Sequence, residues 1–337
     1  MFKDKLVKPI TALVNLTPDR LVKSFCGQLV PIFFLHRMYP GYDVTDRSIV
    51  QHLEWCLEYI RKNNYHPITL KELVLSRVEQ RTLPKKAVVF TLDDGFYDQY
   101  EIAEPLFKKF DTPYTCFVIS EFLEQKLWPW DDQIRYGIEN SKLSVLSIDL
   151  PDGSRLNFSR VSDTDEAIIA KIHHQLKLLD QTHMYAWLGT FYQQLHVEQP
   201  AEIPEHYRPM TWSQAQKLID GGNDIAPHTQ THRILSRLSD IESEQEILGS
   251  WNMLKEKLKG AAPVFAYPTG RIADYSEREM STISQSELTC AVSTVPGHVK
   301  LASKNENLPR FVFPDNRFDF IQYLSYIEAM KEKISRH

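Results

Sequence analysis

The sequence lacks the cysteine pattern of a disulfide framework or of a zinc cluster. Four cysteines occur in 337 residues, widely separated and without a CxxC pair: Cys26, Cys56, Cys116 and Cys290. Because zinc sites and redox motifs bring cysteines close together in the sequence, we interpret these four as small apolar core residues in a reducing compartment. This interpretation predicts a cytoplasmic protein.

Long apolar runs are missing as well. No stretch approaches the roughly 18 uninterrupted apolar residues of a transmembrane helix, so no transmembrane segment is predicted. The first residues are interrupted by Pro9, Asn15 and Asp19 and lack the apolar centre of a signal peptide. Lysines alternate with apolar side chains over residues 1–16, which is compatible with contact at an anionic membrane surface; a helix docked on its own domain is the alternative.

An excess of positive charge is also absent. The net charge of −5 argues against a general nucleic-acid binder, so no nucleic-acid partner is expected. Hydrophobic residues make up 42% and charged residues 25% of the chain, as in an ordinary soluble globular protein. The length suits one large α/β domain or two smaller ones.

Short apolar strand candidates alternate with helical patterns along most of the chain. This alternation predicts a mostly parallel sheet covered by helices, either barrel-like or doubly wound. Residues 124–210 break the pattern, because a Pro-Asp-Gly turn there separates two alternating runs typical of a β-hairpin, and two helical stretches follow. We interpret this block as an insertion that shapes substrate access.

Two acidic residues stand side by side where one of the strand candidates ends. Asp93 and Asp94 follow the apolar run, and Gly95 marks a sharp change of backbone direction. The carboxyl ends of strands are where α/β folds place their chemistry. Adjacent carboxylates repel each other, so they require a cation, a shared proton or full solvation. An acidic turn in water is the alternative interpretation.

Two histidines at i and i+4 follow another strand candidate. His228 and His232 come just after Pro227 at the exit of that strand. Together with one strand-end carboxylate, two imidazoles form a ligand set that leaves metal positions open for water and substrate.

With these motifs the sequence resembles the polysaccharide deacetylases, the NodB-homology domain of carbohydrate esterase family 4. The family's TFDDG motif appears as Thr91–Gly95, its H(S/T)xxH motif as His228–His232, and its apolar segment ending in Pro-x-Gly as Phe265–Gly270. The resemblance implies an α/β fold, a distorted (β/α)7-type barrel with an inserted hairpin-plus-helices block. The expected organisation is an N-terminal helical extension (1–30), a catalytic domain (31–320) interrupted by the insertion (124–210), and a C-terminal helix (321–337).

The resemblance also implies a mechanism. Asp94, His228 and His232 would bind a divalent metal ion, most often zinc, with cobalt, nickel or iron as alternatives because affinity follows availability as well as ligand type. Asp93 would be the general base that takes a proton from the attacking water. The backbone N–H of Thr269 would donate to the oxygen on which negative charge develops.

The pattern departs from the family's best-known members at two points. Ala266 stands where they carry an Arg that orients the base, and no Leu-x-His motif near the C-terminus supplies the general acid; His298 is the late histidine considered for that role. The segment Asn307–Phe311 resembles a sub-branch that shares the FAYPxG third motif and includes poly-N-acetylglucosamine deacetylases and surface-glycan enzymes. Arg310 would there reach the site and stand in for the missing Arg; a surface salt bridge is the alternative.

Five residues are predicted to contact substrate. His36 lies in a Leu-His-Arg segment that matches the sub-branch, although capping of the first strand would also explain it. Tyr267 and Arg310 belong to the segments just described. Trp128 and Trp130 suit a stacking platform for a sugar ring, with core packing inside the insertion as the alternative.

The leading hypothesis is therefore a metal-dependent N-deacetylase acting on an N-acetylated amino sugar in a glycan or in a glycan precursor, including a lipid-linked one. A second hypothesis is another amidohydrolase on the same scaffold, a sugar deformylase or a cyclic amidase. A third is a non-catalytic glycan-binding module, suggested by the missing Arg and general acid. Asp93 beside a full set of ligands argues against this third hypothesis.

Overall fold

The computed structural model describes residues 29–39, 45–300 and 303–325. The helical extension expected over residues 1–30 lies outside these ranges except for Leu29 and Val30. Residues 1–16, for which contact with a membrane surface and docking on the domain were the two alternatives, also lie outside them. The helix expected over residues 321–337 is described only as far as Ser325. Within the described ranges, none of the helices combines the length and the apolar character that a membrane span requires.

Strands and helices alternate through the described part of the chain. The strands are β1 (Ile32–Leu35), β2 (His66–Pro67), β3 (Ala87–Leu92), β4 (Thr115–Val118), β5 (Val145–Asp149), β6 (Arg155–Ser159), β7 (Asp224–Pro227), β8 (Val264–Ala266), β9 (Cys290–Val292) and β10 (Phe311–Val312). The α-helices are α1 (Ser48–Lys62), α2 (Leu70–Val78), α3 (Glu104–Lys109), α4 (Ser120–Leu123), α5 (Trp130–Asn140), α6 (Asp165–Leu176), α7 (Met184–Gln194), α8 (Trp212–Asp220), α9 (Asp240–Lys257), α10 (Glu277–Gln285) and α11 (Arg317–Leu324). A π-helix, Gln99–Ala103, precedes α3.

The central sheet is parallel. Its strands follow the order β10–β1–β3–β4–β7, and β2 pairs with the start of β3. Strands β8 and β9 form a second parallel pair. Backbone hydrogen bonds connect this pair to both ends of the sheet: Ala262 N–H donates to the Ile225 carbonyl and Leu308 N–H to the Ala291 carbonyl, both at 2.8 Å. The expected α/β fold with a mostly parallel sheet is confirmed, and the strand order resembles an incomplete barrel.

Strand β3 shows why the acid pair lies where it does. All six of its residues are buried, as expected for a parallel strand covered on both faces. Val88 and Phe90 join the hydrophobic cluster on one face, whereas Val89 belongs to the cluster on the other. Because side chains alternate along a strand, Thr91 and Asp93 point to the same face as Val89. The strand thus delivers Asp93 to the carboxyl end of the sheet.

The insertion has a hydrophobic core of its own. Strands β5 and β6 form the expected antiparallel hairpin, with Val145 opposite Ser159. All buried members of one hydrophobic cluster come from residues 130–195, and helices α5, α6 and α7 supply most of them. The hairpin and helices therefore pack as one block on the barrel-like sheet.

Two helical glycines of the insertion give a paired test of this packing. A Cβ at Gly137 in α5 would lie 2.7 Å from Phe191 Cε1, whereas a Cβ at Gly189 in α7 meets only Gln199 Oε1, at 3.8 Å. Overpacking should make Gly137→Ala destabilising by about 1–3 kcal/mol. Gly189→Ala should stabilise the protein by roughly 0.5–1 kcal/mol, because alanine loses less entropy in a helix. Urea unfolding of both variants measures these changes, and equal effects would contradict the close α5–α7 contact.

Candidate active site

The acid turn, Asp93–Gly95, begins directly at the end of β3. Asp93 N–H donates to the Leu35 carbonyl at 2.9 Å, which continues the pairing of β3 with β1. The backbone then turns sharply, with φ of +83° at Asp94 and +88° at Gly95. A Cβ at position 95 would lie 2.9 Å from Val118 Cγ1, so only glycine fits this close approach to β4.

Asp93 is held in a buried bidentate ion pair. Arg310 Nη1 and Nη2 each donate to one carboxylate oxygen at 2.8 Å, and Arg310 is fully buried. The guanidinium also donates to Thr91 Oγ1 at 2.9 Å and to the Ser293 carbonyl at 3.0 Å. Burial alone would raise the pKa of Asp93, but the charge and hydrogen bonds of Arg310 outweigh it and lower the pKa to about 2. Asp93 is therefore ionised at neutral pH.

Asp94 faces two histidines instead. Its Oδ1 lies 3.5 Å from the Nε2 atoms of both His228 and His232, and ligand atoms of the three side chains all lie within 4.8 Å of one another. Asp94 Oδ1 is buried and has no hydrogen-bond partner. Burial raises the pKa of this carboxyl, although the nearby His232 opposes the rise.

The histidine hydrogen bonds fit a cation between these three groups. His228 Nδ1 lies 2.7 Å from the Ala266 carbonyl, which can only accept, so Nδ1 carries the proton and Nε2 presents a lone pair toward Asp94. Burial lowers the pKa of His228 to about 3, which keeps the ring neutral. A carboxylate oxygen and an imidazole lone pair repel each other at this distance. A divalent ion would turn that repulsion into coordination, so Asp94, His228 and His232 suit such an ion.

His232 has a partner that the sequence analysis missed. Its Nδ1 lies 3.8 Å from Asp131 Oδ1, an ion-pair distance longer than a hydrogen bond. Burial lowers the pKa of His232, but its interactions with Asp131 and Asp94 outweigh burial and raise the pKa to about 9. This negative environment favours a cation at the ring. The available signal was a second pair of adjacent acids, Asp131 and Asp132, directly after Trp130.

The sequence analysis also missed Gln99, whose buried side chain holds the backbone of the acid turn through a hydrogen bond. Its Nε2 donates to the carbonyls of Asp93 at 2.5 Å and His36 at 2.6 Å, and its side chain is fully buried. Gln99 opens the π-helix Gln99–Ala103, a form often found at functional sites. It thereby ties the end of β1 to the end of β3.

The third motif forms a tight turn beside the site. Thr269 and Gly270 have φ of +54° and +63°, and Thr269 Oγ1 donates to the carboxylate of Asp274. The hydrogen bonds among the described residues leave the Thr269 N–H without an acceptor. The side chain of Thr269 therefore serves the turn, while its backbone N–H stays available.

His36 lies at the rim of the site. Its Nε2 is 3.9 Å from Asp93 Oδ2, and its side chain is 46% exposed. The ring packs edge-on against Phe34. Of the five residues predicted to contact substrate, His36 combines proximity to the acid pair with exposure.

The structure corrects three other expected substrate contacts. Tyr267 is 1% exposed, stacks on Tyr275 and donates its hydroxyl to the Glu306 carbonyl, so it is a core residue. Trp130 is fully buried in the core of the insertion, which agrees with the alternative interpretation of core packing. Arg310 does not reach substrate either, because all of its side chain is buried against Asp93. The surface salt bridge considered for it is equally wrong.

Trp128 and His298 also differ from expectation. Trp128 is 5% exposed and packs against Tyr136 and Tyr207, so its ring offers no open stacking face. It borders a cavity of about 1070 Å³ between the insertion and the sheet, whose walls include Thr231 but none of the residues of the acid turn. His298 is buried, with Nε2 2.8 Å from the Tyr323 carbonyl and its ring against Phe311. That position makes it unsuitable as a general acid.

Comparisons with known proteins agree with this geometry. A putative polysaccharide deacetylase of Bacillus subtilis is 28% identical over 108 residues, which is 32% of this chain and 37% of that protein. A poly-β-1,6-N-acetyl-D-glucosamine N-deacetylase of Escherichia coli is 28% identical over 81 residues, 24% of this chain and 12% of that protein. The chain thus matches only a minor part of the length of either relative.

Solved structures show the same fold. The Streptococcus pyogenes deacetylase PplD in complex with acetate aligns with a TM-score of 0.56 at 16% identity, over 90% of this chain and 98% of that one. The BpsB deacetylase domain of Bordetella bronchiseptica aligns with a TM-score of 0.52 at 14% identity, over 84% and 95% of the two chains.

A family model settles the relationship. The model for polysaccharide deacetylases matches residues 80–285, which is more than half of the chain and includes the acid turn, both histidines and the third motif. The chain therefore belongs to the polysaccharide deacetylase family.

Proposed function

We propose that this protein is a metal-dependent N-deacetylase that hydrolyses the acetamide of an N-acetylated amino sugar in a glycan or glycan precursor. One observation carries the proposal: two adjacent carboxylates have unlike partners. Asp93 is paired with Arg310 and ionised, whereas Asp94 faces two histidines in an arrangement that suits a cation. Amide hydrolysis with an activated water needs a base and an electrophile side by side. Asp93 would be the base, and Asp94 would help to hold the ion that acts as the electrophile.

Asp93 is the proposed general base. A divalent ion held by Asp94, His228 and His232 would supply Lewis acidity to the amide carbonyl and to water, with zinc the leading candidate and cobalt, nickel or iron as alternatives. Each carboxylate oxygen of Asp93 has two lone pairs, so it can accept a proton from the attacking water while Arg310 holds both oxygens. Arg310 thus orients the base in place of the Arg that Ala266 replaces.

The Thr269 N–H is the proposed donor to the developing oxyanion. Two hydrogen bonds fix the backbone conformation of Thr269. The Asp274 carboxylate accepts one from Thr269 Oγ1 and the other, at 2.9 Å, from Arg271 N–H. A donor fixed in advance needs no reorganisation when negative charge builds up on the carbonyl oxygen.

His36 is the proposed general acid. The amine that leaves an amide must be protonated, and among the described residues His36 is the exposed histidine beside Asp93. His36 follows β1, which lies on the opposite side of β3 from β7 in the sheet, and the Gln99 bond to the His36 carbonyl holds the end of β1 beside Asp93. This assignment fills the role that His298 cannot take.

The named relatives support a saccharide substrate, because one of them is a poly-β-1,6-N-acetyl-D-glucosamine N-deacetylase. A lipid-linked precursor as substrate and a cytoplasmic location both stay predictions.

Acetate release is the direct test of the proposed function. The protein should release acetate from some members of a panel of N-acetylated saccharides, lose this activity with a chelator, and regain it when Zn²⁺ or Co²⁺ is added back. Release of formate from N-formyl sugars, or ring opening of cyclic amides, without acetate would support another amidohydrolase. Glycan binding with no turnover under any metal would support a binding module.

The two acids should respond differently to substitution. Asp93→Asn should keep metal affinity but lower kcat by about 10²–10⁴-fold, because the base is lost. Asp94→Ala should lose the metal, since a ligand is removed. Metal content after dialysis and steady-state kinetics measure both effects, with the exposed Glu101→Gln as the control. Metal loss in Asp93→Asn, or full activity in either variant, would contradict the assigned roles.

The role of His36 can be tested through the leaving group. His36→Gln should lower kcat on N-acetyl sugars by about 10²–10⁴-fold, because the amine no longer receives a proton. The variant should hydrolyse p-nitrophenyl acetate almost normally, since a nitrophenolate leaves without protonation. The exposed His66→Gln serves as the control. An equal loss on both substrates would indicate that His36 does not act as the acid.

A further inference from the structure

The two histidines of the site are held by different parts of the molecule. His228 Nδ1 is paired with the Ala266 carbonyl at the end of β8, within the parent fold. His232 Nδ1 faces Asp131, which belongs to helix α5 of the insertion. Metal-binding histidines are usually oriented by the group that pairs with their second ring nitrogen. One histidine is therefore oriented by the parent fold and the other by the inserted block.

The carbonyls between the two histidines show the same division. The Thr229 and Gln230 carbonyls accept from the N–H groups of Ser120 and Glu121, at 3.1 and 3.0 Å, at the start of helix α4 after β4. The Thr231 carbonyl accepts from the Tyr185 hydroxyl at 2.6 Å. The carbonyl of His232 accepts from Trp130 Nε1 at 3.1 Å. Both of these last two donors come from the insertion.

The insertion continues to bind the chain beyond His232. Ile234 N–H donates to Gln181 Oε1 at 2.7 Å, and Gln181 N–H donates to the Arg237 carbonyl at 3.1 Å. Arg233 Nη1 donates to the Thr182 carbonyl at 3.2 Å. Hydrogen bonds from the insertion thus run along residues 231–237.

The backbone of this loop needs such support. Thr229 and His232 have φ of +67° and +60°, a left-handed conformation that is unfavourable for residues other than glycine. Such conformations persist when surrounding contacts determine them. On the side of the parent fold, buried Glu246 accepts from the N–H groups of Gln230 and Thr231 at 2.9 Å. On the other side the insertion binds the carbonyls of Thr231 and His232.

We propose that the insertion is a structural part of the metal site, in which Asp131, Trp130 and Tyr185 are positioning residues that orient His232. The inference rests on the proposed function only in assuming that Asp94, His228 and His232 bind a divalent ion. It assigns the insertion a role beyond substrate access: the block sets the affinity of the site for its metal.

A matched pair of tyrosines in helix α7 tests the proposal. Tyr185 and Tyr192 each donate a hydroxyl hydrogen bond to a backbone carbonyl. Tyr185 donates to Thr231, between the two histidines, and Tyr192 donates at 3.4 Å to Gln133 inside the insertion. Tyr185→Phe should weaken Co²⁺ binding by roughly 10- to 100-fold, as loss of such supporting partners does. Tyr192→Phe should leave the affinity unchanged. Chelator competition on the metal-free full chain gives the dissociation constants.

A second matched pair tests the carboxylate. Asp131→Asn should weaken Co²⁺ binding to a similar extent and change the visible absorption of the Co²⁺ form, because His232 loses its charged partner. Glu139→Gln, on the same helix α5 but paired with Arg135, is the control and should change neither. Thermal unfolding of the metal-free proteins shows whether each variant is folded.

The outcomes are distinguishable. Unchanged Co²⁺ affinity in folded Tyr185→Phe and Asp131→Asn would overturn the proposal, and so would equal losses in the two tyrosine variants. A wild-type protein that binds no divalent ion would contradict the metal site itself. Tight binding without acetate release would contradict the proposed function and leave this inference standing, because the measurement uses no substrate.

Discussion

The arrangement of the site depends on the buried ion pair between Arg310 and Asp93. Two neighbouring carboxylates cannot both be buried as free charges, so each needs its own compensation. Arg310 compensates Asp93 with two parallel hydrogen bonds and leaves Asp94 to the histidines. Removing one partner of such a buried pair typically costs about 3–5 kcal/mol, because the other charge is left unpaired. The geometry of the candidate site and the stability of the fold therefore depend on the same contact.

The sequence predicted the parts of the site that local structure determines. Asp93, Asp94, His228 and His232 each follow a strand, and parallel strands bring their carboxyl ends to one edge, so their convergence follows from the pattern. The pairing of Arg310 with Asp93 joins residues far apart in the chain, which is why a surface salt bridge had remained an alternative. The role of Asp131 was harder still to predict from the sequence. Its contact with His232 depends on how the insertion packs against the loop after β7.

The wrong expectations have a common physical origin. Trp128 and Trp130 were predicted to stack on a sugar because of their aromatic rings, but residue type alone does not distinguish a ring that faces a sugar from one that fills a core. Tyr267 was predicted from its place in the third motif, and that place does not determine the direction of its ring. His298 was considered because of its position late in the chain, and chain order carries no information about distance. His36 follows β1, one of the strands that border β3, so a complete sheet order was needed to place it beside Asp93.

The ligand atoms of the candidate metal site come from the turn after β3 and from the loop after β7, which are distant in the sequence and meet only in the folded chain. An ion that binds the folded form and not the unfolded one stabilises the former by mass action. The left-handed residues Asp94, Thr229 and His232 each oppose folding by about 1–2 kcal/mol, so the metal-free protein would open more often at this edge. Proteases degrade such transiently opened states, so an ion bound at this candidate site would also lengthen the time that the protein survives in the cell.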